Sequence, residues 1–328
     1  MLHALTRLMV ALSIVAGLGL NGRAAQPSPA STPRPAEVIA FARITPDARI
    51  PLPLAPGAVA TDDGVWVPAG SGIVRIDMKT NAAGAPVALP SPVCASLVLA
   101  FGSVWAPMCG AGTVARVDVK TQAVTVPLTI GVADPRARLA IAVGSVWIGS
   151  DPKGIVSRVD PDTNDVVAEV FVARDPAAVA FGEEALWITS ARADVVTRVN
   201  PHTNAVVETV KVGPQPGVVA VGEGGVWTLN RGDGSVSRID PKTNKVVATI
   251  PVDGAGAGDL AVGEGSVWIS APGVPLVRID PKTNRAVQRF TGESGGAVTV
   301  AHGSVWVAAG PAMTWRLDPL LIAAMRPE

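Results

Sequence analysis

The chain has 328 residues, and its 27 Lys and Arg balance 27 Asp and Glu, so the formal net charge at pH 7 is zero. That balance argues against a nucleic-acid partner, because such binders displace counterions with clustered basic charge. With 48 % hydrophobic residues, 16 % charged residues, 34 Gly and 29 Pro, the composition fits a turn-rich β protein rather than a disordered chain or a coiled coil.

Residues 1–25 read as a secretory signal: Arg7 supplies a positive start, Leu8 to Leu20 an apolar stretch, and Gly22 to Ala25 a small-residue cleavage site. The apolar stretch is short for a bilayer span, which takes about 20 residues, and no later segment is long enough, so no integral membrane segment is expected after cleavage. Residues 26–36, QPSPASTPRPA, read as an extended Pro/Ser-rich linker, and 37–328 as one domain. These features place the mature protein in the periplasm or outside the cell.

Seven of the eight Trp recur at intervals of 38 to 42 residues: Trp66, Trp105, Trp147, Trp187, Trp227, Trp268 and Trp306. An Arg follows each by 9 to 11 residues, at 75, 116, 158, 198, 238, 278 and 316. The clearest unit runs GVVAVGEGGVWTLNRGDGSVSRIDPKTNKVVATIPV from Gly217 to Val252 and divides into four short β stretches separated by turn residues. Four strands in about 40 residues, seven times over, predict an all-β fold: a seven-bladed β-propeller of four-stranded antiparallel blades. The seventh unit has only three strands before the chain nearly ends. Residues 48–52, ARIPL, match ATIPV at 248–252 and are expected to close the ring as the last blade's outer strand.

A Trp at one strand position in every blade is expected to fill the space between neighbouring sheets. The Arg-x-Asp pairs, such as Arg238 with Asp240, share a strand face and are expected to exchange charge-assisted hydrogen bonds as a structural ladder. The Asp-Pro-x-Thr-Asn runs read as turns between third and fourth strands. Cys94 and Cys109 lie symmetrically about Phe101-Gly102, the centre of the hairpin LVLAFGSVWA, and are expected to form a disulfide across it.

The runs DPKTNKVVATIPVD from Asp240 and NPHTNAVVETVKVGPQP from Asn200 resemble the YVTN repeat of extracytoplasmic seven-bladed propellers, with Trp where that repeat usually has Tyr. This resemblance covers about residues 45–319 and implies a binding scaffold without a reaction. The VW and R-I-D-P elements are also similar to repeats of streptogramin B (virginiamycin B) lyase, a propeller family that opens a cyclic depsipeptide by Mg-assisted elimination. That resemblance implies His and Glu at the channel mouth and W-F-T-E repeats, whereas the residues after Trp here are VPA, APM, IGS, ITS, TLN, ISA and VAA.

In a propeller the second-to-third loops and the blade-to-blade connections share the top face, where ligands usually bind. His202 falls in a third-to-fourth turn and His302 in a first-to-second turn, so both are expected on the bottom face, with Glu183, Glu184, Glu223 and Glu264. No catalytic residue, resident metal or cofactor is therefore assigned. The remaining signal is a mixed-charge crescent on the top loops of blades three to five: Asp151, Lys153, Arg174, Asp175, Arg192, Asp194, Arg231 and Asp233. Such a crescent suits a protein or peptide partner in the cell envelope. Arg231-Gly232-Asp233 also spells an adhesion tripeptide, but reads as a tight loop in which Gly232 takes positive φ. The main expectation is thus a non-catalytic exported scaffold. The alternative is a divergent metal-dependent lyase using top-loop Asp151, Asp194, Asp233 or Asp259.

Overall fold

The computed structural model describes residues 35–327 apart from 62, 63, 95, 126, 135 and 136. The expected signal, and all but the last two residues of the expected linker, lie outside that range.

Seven sheets form a seven-bladed β-propeller. The first strand of each blade lies against its counterparts in the adjacent blades, and together they line the axis: Val59–Thr61, Val98–Ala100, Ala140–Ala142, Pro176–Gly182, Pro216–Gly222, Asp259–Gly263 and Val298–Ala301. Blades three, four and five each carry four antiparallel strands. Among the described residues blade two has three regular strands, and two isolated bridges, Val114 to Leu128 and Val117 to Val124, stand where the fourth would run. Pro127 falls within that stretch, and a residue without an N–H cannot sustain a ladder there.

Ring closure follows the expected scheme. Ala48–Ile50 pairs antiparallel with Thr314–Leu317 and completes blade seven. A further element was not expected: Glu37–Ala40 adds to the outer strand of blade six in parallel register, with Ile39 opposite Phe290 and buried. The eighth Trp, Trp315, secures this strap, with Phe41 stacked on it at 4.8 Å and the Arg49 guanidinium 5.3 Å from its centroid. A short helix, Pro319–Ala324, ends the fold, its N–H groups capped by Asp318.

The seven repeated Trp are fully buried. Each belongs to an apolar cluster shared with the next blade: Trp187 packs with Val226, Trp227 with Leu260 and Val267, Trp268 with Val298 and Val305, and Trp306 with Val65 and Val67. Six of the indoles donate to the carbonyl five residues earlier, as Trp227 Nε1 does to Gly222 at 3.0 Å. Burying a ring of this size contributes roughly 4–6 kcal/mol before entropy is counted.

The expected Arg-to-Asp exchange is corrected. Each Arg lies directly opposite its blade's Trp in the strand register, and five guanidinium groups sit 4.9 to 5.7 Å from that ring's centroid. The head groups of Arg116, Arg158, Arg198, Arg238 and Arg316 then reach the following blade. Arg198 Nη1 donates to the Pro241 carbonyl and to Asn244 Oδ1, each at 2.9 Å, and Arg158 and Arg238 make the same two bonds to Pro201 with Asn204 and Pro281 with Asn284. The Asp serves its own turn, Asp240 Oδ1 accepting from Lys242 N at 2.8 Å, and Asn200 does the same for His202 N. The turn motif therefore has two tasks: its first residue holds the turn, and its Pro and Asn receive the preceding blade's Arg.

Asn244 sits at φ 55°, a left-handed conformation that Asn tolerates better than most residues. Asn244→Ala is expected to cost about 2 kcal/mol through the lost acceptor and the unfavourable φ, and Asn244→Gly only about 1 kcal/mol, as read by urea denaturation. Equal losses in the two variants would remove φ from the account.

Backbone N–H groups hold the carboxyls of Asp77, Asp118 and Asp240 below the ordinary carboxylate range, the largest contributions coming from Thr80, Thr121 and Lys242. With folded values below unfolded ones, the unfolded chain binds more protons, so this stability is present above the unfolded value of about 4 and is lost as pH falls through the folded values. Thermal midpoints should fall between about pH 4 and pH 2. Replacing all three Asp with Asn should flatten that slope.

Candidate functional site at the channel mouth

Top-face segments of blades one, two, three, five and six converge on a cavity of about 250 Å³. Ala55, Pro56, Pro68, Val93 and Val218 supply apolar wall, and Arg138, Arg231 and Asp259 supply charge. The Cys94–Cys109 disulfide, with Cα atoms 5.6 Å apart, borders it through Cys94. The expected hairpin holds: Phe101 and Gly102 both take positive φ at the turn that brings these chain segments together.

Asp259 opens the innermost strand of blade six and is buried, 1 % exposed. Its Oδ1 accepts from Leu260 N at 2.8 Å and its Oδ2 from Val298 N at 3.3 Å. Across the axis, Arg138 Nη2 forms an ion pair with Oδ1. Arg138 precedes the innermost strand of blade three, and its backbone is pinned to blade four: its N–H donates to Ala177 O at 3.2 Å and its carbonyl accepts from Val179 N at 3.0 Å. The pair thus bridges blades on opposite sides of the ring. Burial pushes the Asp259 carboxyl above its ordinary value, while Arg138, the two N–H donors and the field of Arg231 oppose that rise. Both oxygens accept backbone hydrogen bonds and Oδ1 also meets the guanidinium, so three donors offset the cost of burial.

Arg231 follows the second strand of blade five, its N–H donating to Gln215 O at 2.9 Å. Gly217 lies beside the side chain, where an added Cβ would stand 2.3 Å from Arg231 Nε. The glycine leaves room for the Arg231 side chain, which an added Cβ would push aside, and its backbone conformation does not itself require glycine. The adhesion-like tripeptide differs from expectation in the same way. Positive φ falls on Gly234, not Gly232, whose Cβ would meet Pro214 at 2.9 Å.

Of the eight crescent residues, only Arg231 lines the cavity. Asp175 and Arg192 pair at 2.8 Å and tie the connection into blade four to that blade's own loop. Asp194 turns outward to Lys211 Nζ at 3.2 Å and to Gln215 N at 2.9 Å, and these hydrogen bonds hold its carboxyl below the ordinary range. Asp151 and Asp233 accept from Lys153 N and Ser235 N within their own loops. Lys153 and Arg174 are exposed. Sequence reasoning singled out Arg231 and Asp259 but missed Arg138, which stands outside the repeat in the segment joining blades two and three.

A Mg-assisted elimination, as the lyase resemblance implies, needs several oxygen donors gathered on one ion. Asp151, Asp194 and Asp233 are engaged in separate loops, and Asp259 faces a guanidinium. Among the described residues, no three His, Cys, Asp or Glu stand close enough to hold a metal. His202 and His302 lie in turns on the opposite face, as expected. The residues present do not fit the ion.

The fold is similar to that of virginiamycin B lyase from Staphylococcus aureus, at 16 % identity and a TM-score of 0.67, covering 81 % of this chain and 94 % of that one. BamB from Moraxella catarrhalis aligns at 15 % identity and a TM-score of 0.60 over 80 % of this chain and 83 % of that one. A chain of the mitotic checkpoint complex aligns at 12 % and 0.69 over 84 % and 94 %. The likeness is one of fold. No protein-family model and no curated protein sequence matches the chain.

Removing Arg138 leaves a fully buried carboxylate without its cation, whereas removing Asp259 leaves a guanidinium that is 19 % exposed and can hydrate. Arg138→Ala is therefore expected to cost about 3 kcal/mol or more by chemical denaturation, and Asp259→Ala less. The reverse order would contradict the burial argument.

Proposed function

We propose that the chain is an exported, non-catalytic β-propeller that binds a protein or peptide partner in the cell envelope through its top face. The observation that carries this reading is the convergence of five blades on one cavity at the channel mouth, with charged loops of blades three to five on the same face. The YVTN-like repeats support a scaffold role, and residues 1–25 and the Cys94–Cys109 disulfide support an oxidising compartment, periplasmic or extracellular. The reading needs no cofactor. Neighbours of this fold include proteins solved within assemblies, as in the mitotic checkpoint complex, and by analogy the same architecture serves a partner here.

Lys153 and Arg174 are exposed and, among the described residues, their side chains hold no turn together, so their charges can be reversed without loosening the loops. Crosslinking from envelope extract should capture a partner with the wild type. The Lys153→Glu, Arg174→Glu variant should retain at least about tenfold less of it, chiefly through slower association. An unchanged set of captured proteins, or none with either form, would refute docking at these loops.

A further inference from the structure

The outermost segment of each blade lies on the rim of the ring, where an uncovered strand edge invites pairing with another chain. Among the described residues, six of the seven rims are guarded. Pro86 and Pro127 fall in the outer segments of blades one and two, and Pro46 and Pro51 flank that of blade seven. Lys211 ends the outer strand of blade four, Lys245 and Pro251 bound that of blade five, and Glu37–Ala40 covers that of blade six. Blade three differs. Its outer strand, Val166–Phe171, is regular over six residues, contains neither Lys nor Pro, and has no described strand on its free edge.

Blade six shows what such an edge accepts. Glu37–Ala40 runs parallel to Arg285–Thr291 with Ile39 opposite Phe290, and both side chains are buried. Ala168 stands opposite Arg158 in blade three as Gln288 stands opposite Arg278 in blade six. Val170 therefore occupies the place of Phe290, and Glu169 and Phe171 the places of Arg289 and Thr291. Val170 packs with Leu186 and Ile188 of blade four, which leaves Val167, Glu169 and Phe171 on the opposite face of the strand. Phe171 is 72 % exposed and Val167 53 %. Asp162, Asp165 and Glu169 are exposed beside them, and residues 160–171 include no Lys or Arg.

We infer that this edge is a docking strand for an extended segment of a partner protein in which β-branched residues alternate with Lys or Arg, paired in parallel as Glu37–Ala40 is on blade six. Main-chain hydrogen bonds supply the pairing. A basic residue of the segment stands opposite Glu169, and an apolar one rests beside Phe171. A second copy of the same strand is a poor occupant, because its acids would meet Asp162, Asp165 and Glu169. This docking uses the rim of blade three rather than its top loops, and it is independent of the top-face reading.

The test titrates the purified protein into a fluorescently labelled peptide, Lys-Val-Lys-Ile-Val-Thr-Lys with both ends capped, and follows anisotropy. Two control peptides carry Glu in place of every Lys, or Pro in place of Ile. The basic peptide should bind at least about tenfold tighter than either control, since one reverses the charge and the other removes a main-chain donor. Binding should slow amide hydrogen exchange within residues 166–171. Phe171→Lys, which supplies the guard that Lys211 gives blade four, and Glu169→Lys should each weaken the basic peptide at least about tenfold. Both side chains are exposed, so the thermal midpoint should stay at the wild-type value. Equal binding of the three peptides, undiminished binding in both variants, protection confined to other residues, or no binding at all would overturn the docking strand. A concentration-dependent dimer of the wild type in sedimentation, abolished by Phe171→Lys, would make a second copy the occupant and overturn it as well.

Discussion

Each blade of this ring packs on the next through one buried Trp, and in five of the seven an Arg from the facing strand bonds into the following blade's turn; the rest of the structure depends on that joint. The indole removes a large apolar surface from water at the boundary between sheets, which is the greater energetic contribution. Stacking of the guanidinium on the ring adds about 0.5–2 kcal/mol, and its more specific contribution is direction. Its planar fork crosses the boundary and finds a carbonyl and an amide oxygen at fixed places in the following turn. Apolar contact alone would tolerate a sliding or rotated blade; the Arg-to-turn bonds do not.

Where the joint has no following turn, other groups replace it. Arg278 of blade six has no Asp-Pro-x-Thr-Asn run ahead of it, and it turns to Gln288 Oε1 at 2.7 Å and Ser266. Burial lowers the readiness of that guanidinium to hold its proton, and Gln288 passes the connection on to the carbonyls of Ile322 and Met325 in the terminal helix region. The same sector carries the parallel strand Glu37–Ala40 and the closing strand Ala48–Ile50. Both ends of the domain are thus built into blades six and seven, and no closing edge is left open there.

A ring held this way presents its axis as a nearly fixed frame. Arg138 and Asp259 sit at or beside the starts of innermost strands, where backbone pairing leaves little freedom, and their pairing across the axis couples blades that are not neighbours in the ring. Buried ion pairs of this kind add little net stability, because desolvation offsets the Coulomb attraction. Their use is to hold a charged group in one orientation, and here that group borders the cavity. The loop charges farther out, such as Asp175 with Arg192, lie in water and contribute little to stability.

The propeller, its closure by residues 48–52 and the Cys94–Cys109 disulfide were legible in the sequence because all three rest on local pattern: a period, a matching β segment and the symmetry of a hairpin. The role of the repeated Arg was misread because strand neighbours two apart looked like partners, while the true acceptors, such as Asn244 for Arg198, lie 46 residues away in another blade. Arg138 left no mark, since it stands in an irregular connection. Asp259 looked like one of several top-loop acids until its burial set it apart. The sequence alone thus determined the blades, their number and their order around the ring, because repetition of short-range chemistry suffices for that. Only the tertiary structure decided which charges meet, because 121 residues separate Arg138 from Asp259 and closing the circle is what brings them to one axis.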